Sequence, residues 1–182
     1  MNIKVRNGAF ETNSSSSHSI VLKRGQGVET SYLTSEEAID DLNSTSKSDD
    51  EPVVHDGILD FTRLDIDTLD DFGWGIDAFT DFSHKMLYAI IDSYHSQKDI
   101  TDENSVLCRI FSFLKEFLNV HTIIYPKCTE ADRWDDDDRE YYFGSIDHQS
   151  QGTISELRES GYTIKEFLLN KNFVLYIDND NH

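Results

Sequence analysis

Basic residues are scarce in this sequence: 16 Lys and Arg stand against 35 Asp and Glu, for a formal net charge of −19. That shortage argues against a chain that grips a nucleic-acid backbone with a general basic surface, because each phosphate contact needs a cation. Cysteine is scarce as well. Cys108 lies in a helical pattern and Cys128 in a loop stretch, with neither metal-ligand spacing nor a disulfide framework between them, which suits a reducing compartment. No run approaches the roughly 18 apolar residues of a membrane span, and the opening Met1 to Gly8 lacks the apolar stretch of a secretion signal. The expectation is therefore a soluble cytoplasmic protein that engages no membrane. With 37% hydrophobic and 12% aromatic residues in 182, the chain has enough to bury for one folded domain.

The acidic excess is concentrated. Residues 35–82 hold two basic and fifteen acidic residues, −13 of the total, whereas residues 1–34 hold four basic and two acidic. Lys4, Arg6, Lys23 and Arg24 make that first segment the net-positive one, and an anion would seat there best.

Hydropathy patterning predicts an α+β fold: a mixed sheet packed against an antiparallel helix pair, in a single domain over residues 1–182. Ile3-Lys4-Val5 and His18 to Arg24 read as strands. Thr34-Ser35-Glu36-Glu37 has capping-box spacing and opens a short helix near residue 35. Asn43 to Glu51 offers nothing apolar, so a partly mobile acidic linker is expected over about 43–52. Apolar spacing from Phe79 to Tyr94 and from Val106 to Leu118 predicts helices over 76–97 and 102–118, with Thr101-Asp102-Glu103 capping the second. Val120 to Tyr125 reads as a buried strand, and Tyr141-Tyr142-Phe143 continues the pattern. Thr153 and Thr163 each open a capping box, with Gly161 between them, and Phe173 to Ile177 closes the chain as a buried strand.

The residues that can carry chemistry cluster in two polar motifs. Arg6, Glu11, Asn13, Ser14, Ser15, Ser16, Ser17 and His18 would bind a phosphate or another oxyanion through hydroxyls and backbone N–H groups backed by the guanidinium. The same run also reads as a well-bonded loop between strands. No Gly lies in the Ser run and no Lys ends it, which excludes a Walker-type phosphate loop. Asp147, His148 and Ser150 form the second motif. His18 or His148 would serve as general acid or base, with Asp147 as orienter. Trp134 followed by Asp135 to Asp138 lacks the alternating ligands, Gly and Glu of a calcium loop, so no metal site is assigned and no motif names a cofactor.

The string Arg6-Asn7-Gly8-Ala9-Phe10-Glu11-Thr12-Asn13-Ser14-Ser15-Ser16-Ser17-His18-Ser19 resembles the opening of a group of uncharacterised proteins from bacteriophages and Gram-positive mobile elements. Gly144 to Ser150 and Asp178-Asn179-Asp180-Asn181 are similar to further motifs of that group. The resemblance covers about 25 residues, mainly toward the two ends, and it implies origin rather than chemistry. It also implies that the polar motifs lie together. The leading expectation is a phage accessory protein that works by binding, its acidic surface engaging a basic site on a host protein, as an inhibitor in counter-defence or by nucleic-acid mimicry. The alternative is an enzyme or small-ligand binder acting on a phosphorylated or nucleotide substrate. The sequence leaves the reaction and the oligomeric state open.

Overall fold

The computed structural model describes residues 3–6, 16–22, 31–65, 72, 75–96, 105–125, 153–159 and 161–179. Two sheets and a set of helices form an α+β domain. Strands β1 (Ile3–Arg6), β2 (Ser16–Leu22), β5 (Gly75–Phe79) and β7 (Phe173–Asn179) make a four-stranded sheet in the order β1-β2-β7-β5, antiparallel throughout. Strands β3 (Val54–His55), β4 (Ile58–Asp60) and β6 (Thr122–Ile124) make a smaller sheet in the order β3-β4-β6. The mixed pairing sits in the smaller sheet, where β3 is antiparallel and β6 parallel to β4.

Local chemistry explains most helix boundaries. Helix α1 (Ser35–Ser44) starts at Thr34, whose hydroxyl accepts the Glu37 N–H while the Glu37 carboxylate accepts the Thr34 N–H at 2.9 Å. This reciprocal bonding satisfies two of the orphan donors at a helix start. Helix α5 (Ile164–Leu169) repeats the arrangement with Thr163 and Glu166. Gly161, at φ +83°, follows helix α4 (Thr153–Glu159) and supplies the left-handed turn that ends it.

Helix α2 (Phe82–Ser96) begins six residues later than the spacing predicts. Asp81 is the cause: its carboxylate accepts the His84 N–H at 2.9 Å, so the helix starts after it. Ile76 to Phe79, read as helix from the sequence, instead pair with β7 as part of β5. Helix α3 (Val106–Phe117) is capped by Ser105 rather than near Thr101, and Asn119 at φ 54° closes it, with the Val120 N–H donating to the Lys115 carbonyl. The ring of Phe82, first in α2, lies 6.0 Å from that of Phe117, last in α3, so the pair runs antiparallel.

The core surrounds α2. From Phe82 to Ser93 every residue except His84 is buried, polar Ser83, Lys85 and Asp92 included. A helix apolar on one stripe packs one neighbour, whereas α2 packs α1, α3, α4 and α5. The Asp92 carboxylate accepts the N–H of Ile154 at 2.8 Å and so holds the first turn of α4 from inside the core. Among the described residues, no helix is long and apolar enough to cross a membrane.

Two further expectations need correction. The stretch read as a linker is tied down: α1 runs through Ser44, the Asn43 side-chain oxygen accepts the Val54 N–H at 2.9 Å, and the Lys47 and Asp65 N–H groups donate to the Arg63 and Thr45 carbonyls. Its polar residues bond to a backbone partner instead of burying apolar surface. The strand expected over 120–125 is shorter and lies at a sheet edge, with Thr122 and Ile124 exposed. An Asp-Gly hairpin precedes its partner: Asp56 (φ 47°) and Gly57 (φ 72°) turn β3 into β4 as a two-residue loop.

Candidate functional site

The four-stranded sheet has two unlike ends. Its rows begin with Ile3, Leu22 and Phe173 and pass through Val5, Ile20, Leu175 and Phe79, where Leu175 and Phe79 are buried. The register then brings Arg6 opposite Ser19, His18 opposite Ile177, Ser17 opposite Asp178 and Ser16 opposite Asn179. From the other side of β7, Asp77 pairs with Ile177, Ile76 with Asp178 and Gly75 with Asn179. Four distant parts of the sequence thus meet at one sheet end, which carries a guanidinium, hydroxyls, an imidazole, carboxylates and a carboxamide.

Residue type along β2 carries the meaning of this end. A strand with one buried face alternates apolar and polar side chains. Ile20-Val21-Leu22 is apolar throughout and Ser16-Ser17-His18-Ser19 polar throughout, so burial does not set the composition of the latter half. His18 and Asp77 occupy one row with Ile177 between them, two strand spacings or roughly 10 Å apart.

Of the site residues expected from sequence, Arg6, Ser16, Ser17 and His18 lie at this end of the sheet, with Arg6 and Ser17 in rows that alternate with those of Ser16 and His18. Glu11, Asn13, Ser14, Ser15, Asp147, His148 and Ser150 lie outside the described residues. Asp77 was not foreseen, because it falls inside an apolar spacing that reads as helix. Asp178 and Asn179 were visible only as part of a closing acidic motif, and their place opposite the serines depends on a pairing across almost the whole described chain. Among the described residues, no group of three or more His, Cys, Asp and Glu side chains is arranged to hold a metal ion.

A second polar centre lies at the start of α2. The Asp81 carboxylate accepts from the Ser83 hydroxyl at 3.0 Å and lies 2.6 Å from His84 Nδ1, and Asp41 of α1 accepts the Ser83 N–H at 2.7 Å. Burial opposes ionisation of Asp81, but the bonds from the His84 ring and backbone outweigh it and bring its pKa down to about 2. The His84 ring stacks on Phe79 at 4.6 Å and meets Phe72 edge-on.

The acidic middle also takes shape. Glu36, Asp40, Asp49, Asp50, Glu51 and Asp56 are exposed on α1 and on the segment that follows it. None of these six forms an ion pair among the described residues. Glu37 does, with Lys171 at 2.7 Å, and the two cations of this stretch are engaged elsewhere: Lys47 donates to the Thr62 carbonyl, and Arg63 to Asp60 and the Pro52 carbonyl. No family model, curated protein or solved structure matches the chain.

Proposed function

We propose that the chain works by binding, presenting the carboxylates of α1 and residues 49–56 to a basic site on a partner protein. The observation that carries this reading is the set of six exposed, uncompensated carboxylates on a backbone fixed by hydrogen bonds to residues 54 and 61–65. Fixed charges attract a lysine- or arginine-lined groove without first losing backbone entropy, and they steer encounter over long range. Duplex DNA carries about one charge per 1.7 Å of axis, so such a groove is one that ordinarily holds nucleic acid. The resemblance to phage and mobile-element proteins supports a host-cell cytoplasmic setting, with inhibition of a host nucleic-acid-handling or defence protein as the outcome. The test compares the parent with a Glu36→Gln, Asp40→Asn, Asp49→Asn, Asp50→Asn variant, measuring binding to host proteins at low and high salt. The parent should capture a partner that salt releases and the variant should not. Equal capture by the variant, or none by the parent at low salt, refutes the reading.

The convergence at the sheet end favours a second reading, a small-ligand or enzyme site for a phosphorylated compound such as a nucleotide. Arg6 would hold the phosphate, Ser14 to Ser17 and Asn13 would line it beside Glu11 and Ser150, and His18 or His148 would move a proton with Asp147 as orienter. Thermal-shift titration with inorganic phosphate and nucleotides, with and without Mg²⁺, tests it. A stabilisation lost in the Arg6→Ala, His18→Ala double variant supports it, and no response in the parent removes it.

A further inference from the structure

Lys85, in the first turn of α2, has no exposed surface, and its Nζ has no hydrogen-bond partner. An ammonium brings three N–H donors and a charge, and burying them unbonded is among the costliest arrangements in a protein interior. The two carboxylates that act on it are already engaged. Asp81 receives the Ser83 hydroxyl and both His84 donors, and Asp41 receives the Ser83 N–H. Asp41 belongs to α1, so the groups around Lys85 are those that fasten α1 to the start of α2.

We propose that Lys85 is a charge-strained lock at the joint between α1 and α2: protonated, it weakens the joint, and on losing its proton it lets the joint close fully. Burial favours the neutral amine, and the Asp81 and Asp41 charges recover only part of the loss, which leaves its pKa at about 8 instead of 10.5. Among the described side chains, the other elements packed on α2 bring their charges elsewhere. Arg109, Lys115 and Glu116 of α3 and Arg158, Glu159 and Lys165 of α4 and α5 are exposed, Glu166 is spent on the α5 cap, and Asp92 holds α4 two turns further along. On its own helix, His84, bonded to Asp81, and the buried Tyr88 one turn further along are its titratable neighbours among the described residues.

The sign of the effect follows from proton counts. Between about pH 8 and 10.5 the unfolded chain holds a proton on this lysine that the folded chain has released, so stability rises with pH across that window. Below it the charge is carried in full. Because α1 also bears the exposed carboxylates, the lock sets how firmly that acidic helix is mounted, whatever it binds.

The test is thermal unfolding from pH 6 to 10.5 of the parent and of Lys85→Met, with amide exchange at Ser83 followed by NMR. The parent should melt at rising temperature from pH 8 upward, and Ser83 exchange, corrected for its intrinsic pH dependence, should slow tenfold or more relative to α5 amides. Lys85→Met should melt higher than the parent at pH 7 and lose the rise. The same rise in the variant, or Ser83 exchange that does not outpace α5, overturns the proposal. If the variant does not fold, the titration of the Lys85 side chain in the parent decides: a midpoint near 8 sustains the lock, and one near 10.5 ends it.

Discussion

The two ends of the four-stranded sheet are made from the same strands and do different things. At one end Phe173, 2% exposed, meets the rings of Tyr162 and Phe167 edge-on, and its neighbours in register are Leu22 and Ile3. At the other, the rows hold mostly polar residue types, Ser16, Ser17, His18, Asp77, Asp178 and Asn179, with Ile76 and Ile177 among them. One end is what burial requires. The other is affordable only because the first, together with α2, already supplies the core, and that separation is what makes a polar strand end informative about function.

The sharpest way to break this contrast is at the apolar end. Phe173→Ala should cost about 3–5 kcal/mol in chemical denaturation, the range for a buried aromatic. A cost near that of a surface change would place the sheet's weight elsewhere. Leu114→Ala, in the fully buried stripe of α3, should cost about 2–5 kcal/mol by the same measurement, which checks that the helix pair shares the core with the sheet.

An intermediate effect separates the joint of α1 and α2 from both ends of the sheet. Asp81 has a pKa lowered from 3.8 to about 2, so it contributes stability that is fully present above pH 3.8 and is lost as pH falls toward 2. Its partial exposure screens the gain, which should come to about 1 kcal/mol. Acid titration of the parent and of Asp81→Asn should differ in slope over that window, the variant being flatter. At the polar end, Arg6→Ala with His18→Ala should change stability by less than about 1 kcal/mol. A larger loss would mean that this end is scaffold, because removing one partner of a buried bond costs roughly 1–3 kcal/mol.

The sequence was most legible where a signal is local. Thr34 with Glu37 and Thr163 with Glu166 announce α1 and α5, and the 3.6-residue spacing from Val106 announces α3, because caps and periodicity act within one or two turns. The hairpin at Asp56-Gly57 was equally local, an Asp-Gly pair between apolar runs, and its two- and three-residue strands are too short for the periodicity by which strands were recognised. Other features were not local. Ile76 and Phe79 fit a helical spacing as well as a strand, and only the partner β7 decides between them. For residues 43–51 the lack of apolar side chains suggests a linker, yet Arg63 and Asp65 bond to the backbone of Lys47 and Thr45 within it, and backbone partners leave no trace in composition. The candidate site was half legible for the same reason: the serines and His18 stood out by type, whereas their neighbours Asp77 and Asp178 are set by register.

The position of β7 has a consequence for how the protein acquires its structure. It is the central partner of the large sheet, so the hairpin of β1 and β2, synthesised before it, keeps an unpaired edge until β7 follows the other described elements. Contacts of such long sequence separation fold slowly, because loop closure precedes any gain from pairing. The α1 to α3 region can meanwhile collapse by itself around α2. Refolding should therefore show helix signal well before sheet signal, and a chain interrupted before Phe173 should expose the β2 edge to other copies rather than merely lose a strand.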